Sequence, residues 1–405
     1  MSKRNKKKKK KNPQPQMSGY KKFLIDMQEA LKFIRIDTEL QNIPGEYKRL
    51  MYDYRLRISN PVAANALISP KELKNIADKT KRYYREQNID DKKGNRYSTY
   101  QLMLLYCFIA VRTKMLEKET GDKNHPQVVE MKKTSDGMFK THYTYFLLHY
   151  FRIITQLSNP CHKYYGVKIH VAAIFKDNPM LEIVIKAVGI PTPKRMILID
   201  GVTRPAYRLG KAHAEELVEW IKVDKKSLGG YYRGKREVLD VYIQSHALKR
   251  MAQRLDLLGK GAINYLLWEN THTITQFEFY KGYVLLPVML YDVKVGYLMA
   301  KVVKDKVLFR TFLFITHNFS PEGDKLKEIS GLGKYDISYW HIDRLSTFVN
   351  LDGEKYKELL DLFQKAGIKN FEQLKEKGFD IDNLQTVNLD GLMNYISKGK
   401  EVEKF

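Results

Sequence analysis

The chain has 405 residues and a formal net charge of +25, from 71 Lys and Arg against 46 Asp and Glu. Hydrophobic residues make up 43% of it and aromatic residues 12%, which excludes a chain that is disordered throughout, because such chains have too little apolar surface to bury. The two cysteines, Cys107 and Cys161, exclude a disulfide scaffold and fit a reducing compartment.

No stretch of the sequence reaches the roughly 18 uninterrupted apolar residues that a membrane span requires. Residues 100–111 come closest, and Arg112 and Lys114 follow them, which indicates a buried helix. Residues 12–16 (NPQPQ) are polar where a secretory signal would become apolar. The sequence therefore predicts no membrane contact and a cytoplasmic location, in the host cell or in a virion if a phage encodes the chain. The alternative is delivery by a route that leaves no signal of this type.

Residues 1–18 are predicted to form a disordered basic arm. Its first sixteen residues hold eight basic and no acidic residues, among them Lys6, Lys7 and Lys8, the candidate nucleic-acid contacts of the arm. Such a run is either a solvated charge cluster or an arm that binds a polyanion. Removing these eight charges still leaves +17 on the rest of the chain, so the positive excess is not confined to the arm.

A positive charge of this size attracts phosphate backbones and releases counterions on binding. An anionic membrane surface is the main competing partner, but the chain shows no strongly amphipathic basic helix with an aromatic face. We therefore expect the partner to be nucleic acid, or an assembly that contains it.

Residues 19–157 are predicted to form a helical domain, because apolar residues such as Phe23, Met27 and Leu31 recur at spacings of three and four. Periodicity and capping residues place helices and loops in this domain as follows: helices beginning at Pro70 and Ser98 and spanning 139–157, and loops at 121–126 and 133–137. The last helix is rich in aromatic residues, which we interpret as core rather than as a base-stacking platform.

Residues 158–236 are predicted to form a small α+β region. Apolar and β-branched runs, followed by one helical pattern, place its elements as follows: strands at 167–175, 181–188 and 195–199, and a helix at 212–223. Asp200 is interpreted as a turn residue between strands, with magnesium binding together with Glu182 as the alternative.

A basic loop that contains glycine, KKSLGGYYRGKR, ends this region at residues 225–236. Gly229 and Gly230 would let backbone N–H groups approach a phosphate, although no Walker spacing is present. This signal is weak, and we favour the interpretation of the loop as a flexible exposed connector. The cations of the loop are candidate nucleic-acid contacts: Lys225, Lys226, Arg233, Lys235 and Arg236.

Residues 237–350 are predicted to combine helices with an antiparallel sheet. The elements expected there are a strand at 238–243, helices at 245–257 (with Ser245 as N-cap) and 261–269, and strands at 273–280, 283–290, 293–302 and 307–316. Short connectors between the last four strands predict a meander of hairpins. A helical tail at 351–405 completes the chain, which we assign to the α+β class.

The sharpest local motif is SHALKRMAQR at residues 245–254. His246, Arg250 and Arg254 are spaced i, i+4, i+8, so we expect them along one solvent-facing stripe of the helix. Imidazole can move a proton near neutral pH, and guanidinium can hold phosphate oxygens through two hydrogen bonds. The stripe is therefore a candidate phosphodiester site.

The string S-H-A-x-x-R-M-x-x-R, after a strand and before a meander, resembles a small domain found beside toxin–antitoxin genes and in polymorphic toxins. That domain is similar to the barnase/colicin/RelE group of metal-independent ribonucleases. The resemblance covers about residues 238–317. It implies one or two helices before a four-stranded antiparallel sheet, with catalytic residues on the helix and on the sheet face.

The resemblance also implies a reaction, in which the ribose 2′-hydroxyl attacks the phosphodiester of RNA. His246 or His317 would accept the hydroxyl proton, and the other would protonate the leaving oxygen. Arg250 and Arg254 would stabilise the extra charge of the phosphorane. No metal and no cofactor would be needed.

A non-catalytic function fits the same charge. The chain would then be a nucleic-acid-associated accessory or structural protein of a phage or mobile element, and the His–Arg helix would hold phosphate only. An antitoxin-like protein or a virion protein is a candidate partner under these functions.

Overall fold

The computed structural model describes residues 19–90, 94–173, 181–212 and 217–377, together with Leu392 and Ile396. The basic arm at 1–18, with Lys6, Lys7 and Lys8, lies outside the described residues, as does most of the predicted tail beyond residue 377.

Helices and strands both occur in the described chain, and the α+β class is confirmed. The described helices are α1 Gly19–Phe33, α2 Gly45–Asp53, α3 Pro70–Arg85, α4 Thr99–Thr120, α5 Pro126–Leu157, α6 Ser245–Arg254, α7 Lys260–Thr271, α8 Pro321–Ser330, α9 Lys334–Tyr339, α10 Leu345–Val349 and α11 Lys357–Lys365. The described strands are β1 Arg57–Ile58, β2 Val62–Ala63, β3 Gln87–Asp90, β4 Arg96–Ser98, β5 Lys163–Ala173, β6 Leu181–Pro191, β7 Lys194–Ile199, β8 Val202–Arg208, β9 Gly210–Ala212, β10 Val218–Trp220, β11 Lys222–Asp224, β12 Val238–Ile243, β13 Glu278–Tyr280, β14 Tyr283–Leu290, β15 Val293–Val303 and β16 Lys306–Phe314.

The chain divides into two compact units. The helical unit contains the described residues of Met1–Val62, Lys71–Tyr150 and Ile169–Ile185, and the sheet unit contains those of Ala63–Pro70, Phe151–Lys168 and Lys186–Phe405. In the helical unit, α1 contacts both α2 and α4. A small sheet has the strand order β1-β6-β2, with β5 also paired to β6.

Capping residues define the ends of α4. The Ser98 side chain accepts a hydrogen bond from the Gln101 backbone N–H, and the Gln101 side chain accepts one from the Ser98 N–H. Gly121 ends the helix in the left-handed conformation, at φ 65°. These contacts satisfy backbone groups that a helix end leaves unpaired.

The predicted loop at 133–137 is wrong, because α5 runs through it without interruption. A single glycine such as Gly137 costs a helix about 1 kcal/mol relative to alanine, which packing can offset. The following turns supply that packing: the Phe139 ring lies 5.5 Å from that of Tyr106, and His142 is buried against Tyr84.

The sheet unit is built around an eight-stranded sheet with the order β13-β14-β15-β16-β12-β8-β7, in which β11 also pairs with β12. β12 and β16 are parallel, and the pairs from β13 to β16 are antiparallel. The predicted strand at 238–243 and the meander of hairpins are therefore confirmed. The first strand of the meander is shorter than predicted and begins at Glu278.

Alternation of side chains gives this sheet two different faces. Val241 and Ile243 join the main core, which also contains buried residues of α6 and α7. Tyr242, between them, joins a smaller cluster on the other face with Leu308. The register shifts at Met299/Ala300, and Arg310 of β16 has no partner residue on β15 there.

The predicted helix at 212–223 is wrong. The described residues there form β9, β10 and β11, and residues 213–216 lie outside the description. Gly210 explains part of the outcome, because a Cβ at this position would lie 2.4 Å from a Val218 methyl carbon. The close β9–β10 pairing and the hydrogen bond from Gly210 N to the Tyr164 hydroxyl (2.9 Å) override the local helical pattern.

Within the described ranges, no helix combines the length and the apolar character needed to cross a bilayer.

Candidate functional site

The sequence of α6 determines which of its side chains reach solvent. The helix starts directly after β12, where the Gln244 N–H donates to the Phe309 carbonyl at 2.9 Å. Gln244 is the N-cap and its side chain makes no capping bond, so the prediction of Ser245 as N-cap is wrong. Burial of Leu248 and Met251 against the sheet turns the opposite side of α6 outward.

His246 lies on the outward side and is exposed. Burial lowers its pKa from 6.5, and the positive charges of Arg250, Arg204, Arg254 and Lys249 lower it further, in that order. The imidazole is therefore predominantly neutral at pH 7. A neutral imidazole among cations can accept a proton, and a phosphate beside it would meet positive charge on several sides.

Three exposed cations accompany His246: Lys249 and Arg250 on α6 and Arg204 on β8. Arg250 donates from Nη1 to Gln253 Oε1 at 3.0 Å and has no carboxylate partner among the described residues. Arg204 and Lys249 likewise form no ion pair within the described chain. We call His246, Lys249, Arg250 and Arg204 the α6 cluster. Its charges are available to an anion in solution.

Arg254 differs from the other members of the predicted stripe. It is buried, its Nη1 donates to the Phe312 carbonyl, and its Nε lies 3.8 Å from Asp343 Oδ2. The expectation that it faces solvent with His246 and Arg250 is wrong, because each i+4 step rotates a side chain by about 40° around the helix. Two such steps turn Arg254 towards the sheet.

Burial has opposite consequences for the two partners of this ion pair. Burial lowers the pKa of Arg254 to about 10, and the negative charge of Asp343 raises it by a smaller amount. Burial raises the pKa of Asp343, against the charges of Arg254 and Arg344. Arg254 and Asp343 thus hold α6 to the segment before α10, and Arg254 adds positive charge beneath the α6 cluster.

His317 follows the end of β16 and is partly buried. Its Nδ1 donates to the Asn318 carbonyl, which leaves Nε2 as the unprotonated ring nitrogen. Burial lowers its pKa to about 4, with a further contribution from Arg254. Arg250 and Arg254 act electrostatically on both His246 and His317, so the structure brings both imidazoles into the field of the same two guanidiniums.

The basic glycine loop is ordered by its own contacts. Leu228 is fully buried, and the Tyr232 hydroxyl donates to Asp305 Oδ1 at 2.6 Å. The loop is an exposed connector, as predicted, and Leu228 and Tyr232 anchor it to the sheet unit. Lys225 lies 3.8 Å from a Glu237 carboxylate oxygen, and Arg236 lies 3.4 Å from one of Asp305.

The remaining loop cations, Lys226, Arg233 and Lys235, form no ion pair among the described residues. Tyr232 and Arg236 bind Asp305, which precedes β16, whereas His317 follows β16. A nine-residue strand spans about 30 Å, so the loop and His317 belong to opposite ends of β16.

The described residues contain no group of three or more His, Cys, Asp or Glu side chains placed to hold a metal ion. Asp200 is a turn residue, as the sequence predicts, with φ 48° between β7 and β8. Its carboxylate lies 2.7 Å from Lys301 Nζ and 2.9 Å from Arg310 Nη1, and these two cations lower its pKa. Asp200 is thus engaged by protein cations.

The sheet unit also has a cleft that the sequence does not predict. Residues around Asp200 and Arg310 line this cleft of about 510 Å³. Its walls come from five separate parts of the chain, including Tyr231, Tyr283 and Lys301. No local spacing in the sequence marks these residues as a group. The one signal in the sequence is a basic residue within each of two largely apolar strands, Lys301 in β15 and Arg310 in β16.

Comparison with protein-family models, with curated proteins and with solved structures finds no match to this chain.

Proposed function

We propose that the chain binds RNA through its phosphate backbone, with the α6 cluster as the main contact. The observation that carries the proposal is the set of exposed cations on and beside α6 that have no carboxylate partner in the described chain, around an exposed imidazole. Cations that are already paired would lose an interaction on binding phosphate, whereas these gain one.

The net charge supports a polyanion as the partner. The excess of +17 outside the first sixteen residues extends the attraction beyond one cluster. The order of two helices, α6 and α7, before the antiparallel strands β13 to β16 agrees with the order that the ribonuclease resemblance implies. The resemblance implies a sheet of four strands, whereas these four belong to a sheet of eight. That order favours RNA over other polyanions.

A second candidate function, metal-independent cleavage of RNA, rests on the neutral state of His246 beside Arg250. His246 would take the proton of the ribose 2′-hydroxyl as its oxygen attacks phosphorus. The bond from phosphorus to the 5′ oxygen would break, leaving a 2′,3′-cyclic phosphate and a 5′-hydroxyl. Water would protonate the 5′ oxygen, because His317 is neutral at pH 7 and its ring proton is bonded to Asn318. The hydroxide left would take the proton held by His246, which restores the neutral imidazole.

Binding of a labelled single-stranded RNA by the full chain tests the first function. Arg250→Gln is expected to weaken the affinity about five- to tenfold, because it removes one charged contact to phosphate. Lys325→Gln is the matched control: Lys325 is an exposed cation of α8 outside the cluster, and its loss is expected to change affinity less than twofold. Equal affinities for the wild type and Arg250→Gln would overturn the proposal.

The same RNA incubated with protein in EDTA tests cleavage. The second function predicts fragments that end in a cyclic phosphate, formed by the wild type and lost in His246→Ala. A strand with 2′-deoxyribose at every position is the substrate control and must stay intact. Binding without fragments in the wild type would leave RNA binding as the function and exclude the nuclease.

A further inference from the structure

The cleft around Asp200 and Arg310 contains no residue of the α6 cluster. Three cations line it, Lys281, Lys301 and Arg310, together with one carboxylate, Asp200. Lys281 is ion-paired with Asp324 at 2.7 Å, so the cations that face a ligand are Lys301 and Arg310. Its volume of about 510 Å³ lies within the range of pockets that hold small organic ligands. The excess of positive charge in the lining favours an anionic ligand.

Arg310 owes its place in the cleft to an irregularity of the sheet. Met299 pairs with Thr311 and Ala300 pairs with Phe309, so Arg310 is the extra residue of a β-bulge. Bulges re-aim a side chain relative to its neighbours and are common beside binding sites. The bulge places the Arg310 guanidinium 2.9 Å from Asp200, which also contacts Lys301 at 2.7 Å.

Asp200 occupies the position of an anion between two cations. Its carboxylate is about half exposed and belongs to a two-residue turn, so it can leave without disturbing a core. A phosphate bears the same charge-bonding oxygens as a carboxylate and more of them. A phosphate ligand would therefore take the place of Asp200 between Lys301 and Arg310.

An aromatic ring completes the cleft. Tyr231 lines it, and its ring stacks on that of Phe279 with centroids 4.6 Å apart and planes inclined by 10°. Both residues remain about 40% exposed, which is unusual for a stacked pair that only serves a core. Phe279 holds the Tyr231 ring in one orientation, as a platform on which a flat aromatic ligand can stack.

We propose that this cleft binds a nucleoside phosphate, with the phosphate between Lys301 and Arg310 and the base against Tyr231. The ligand is either a free nucleotide or one nucleotide unit of a single-stranded RNA. Asp200 is a competitor for the phosphate site, so removing its charge strengthens binding rather than weakening it.

Calorimetry on the full chain, with adenosine 5′-monophosphate and with a short single-stranded RNA, tests this inference. Asp200→Asn is the informative variant, because asparagine tolerates the positive φ of this turn while losing the charge. We expect Asp200→Asn to raise affinity for at least one of the two ligands about tenfold. We expect Arg310→Gln and Tyr231→Leu to lower it about tenfold. Gain with the mononucleotide identifies a free nucleotide, and gain with the RNA alone identifies a unit of a strand.

Two controls separate this site from the α6 cluster. Lys325→Gln must leave both affinities unchanged. Asp200→Asn must raise affinity by the same factor in the Arg250→Gln background as in the wild type, because the two sites share no residue. Adenosine without phosphate and inorganic phosphate alone are each expected to bind at least tenfold more weakly than the nucleotide. An unchanged or reduced affinity of Asp200→Asn for both ligands would overturn the cleft proposal, whatever the α6 variants do.

Discussion

Two arginines of one helix, Arg250 and Arg254, lie in opposite environments. Arg250 is exposed and, among the described residues, its side chain is bonded only to Gln253, whereas Arg254 is buried against Asp343 and the Phe312 carbonyl. The sequence spacing identifies both as cations of α6 but does not tell how far the helix turns between them. The chemistry expected of an exposed guanidinium therefore belongs to Arg250, and Arg254 contributes mainly to the stability of the sheet unit.

Replacement of Arg254 is expected to lower the free energy of unfolding of the sheet unit. Arg254→Met leaves Asp343 as a buried charge without its partner, which costs about 3 kcal/mol or more. Urea denaturation of the full chain measures this loss. Arg250→Gln, on the exposed side, is the matched control and should leave the free energy of unfolding within about 0.5 kcal/mol of the wild type. A fully stable Arg254→Met variant would contradict the anchoring role.

A buried histidine makes the helical unit sensitive to acid. His142 is 1% exposed, accepts or donates a hydrogen bond with the Tyr84 hydroxyl at 3.0 Å, and burial lowers its pKa to about 4. Below pH 6.5 the unfolded chain binds a proton at this residue that the folded chain does not bind. Stability is therefore complete above pH 6.5 and falls as the pH drops towards 4, by up to about 3 kcal/mol.

Urea denaturation at pH 7 and pH 4.5, followed by circular dichroism, measures this loss. His142→Gln keeps a polar partner for Tyr84 but cannot titrate, so it is expected to lose clearly less stability between the two pH values than the wild type. The same loss in both proteins would show that other groups cause the acid sensitivity.

At the scale of elements, the hairpins of the sheet unit are the part that the sequence predicts best. The strand at Val238–Ile243 has the predicted bounds, because the helical pattern of α6 begins directly after it. The strand at Tyr283–Leu290 also has the predicted bounds, because its apolar run is flanked on both sides by turn residues with positive φ. Lys281 and Gly282 form one such turn, with φ of 45° and 80°. Both positive values are what a two-residue hairpin turn requires.

Gly282 is expected to be required for this turn. Gly282→Ala should lower the free energy of unfolding by about 1 kcal/mol, because an alanine resists the positive φ although nothing lies within 4 Å of its Cβ. Gly230→Ala is the matched control, since Gly230 also has free space around its Cβ but no positive φ. Equal thermal denaturation of the two variants would show that backbone conformation does not limit the turn.

Long-range contacts explain what the sequence did not reveal. The pattern at 212–223 predicts a helix wrongly because strand pairing decides its structure, and Gly210 contacts Tyr164 and Trp220, which are not adjacent to it in sequence. The burial of Arg254 depends on Asp343, far along the chain. The cleft could not be predicted at all, because a hairpin, a bulge and a turn bring its cations together only in the folded sheet.

At the scale of the whole molecule, the cations behind the net charge of +25 differ in whether a carboxylate pairs with them. Many surface cations are paired, such as Lys301 and Arg310 with Asp200, whereas those of the α6 cluster have no carboxylate partner in the described chain. The basic arm adds eight further charges outside the described residues. Net charge alone thus predicts attraction to RNA, and the α6 cluster predicts where one phosphate is held.

The salt dependence of RNA affinity tests that account most directly. For the wild type, the logarithm of affinity should fall steeply and linearly with the logarithm of salt concentration, because binding releases counterions. Arg250→Gln should reduce the slope by about 0.7, the value for one phosphate of a single strand, and Lys325→Gln should leave it unchanged. A flat response of the wild type, or identical slopes for the wild type and Arg250→Gln, would contradict the account.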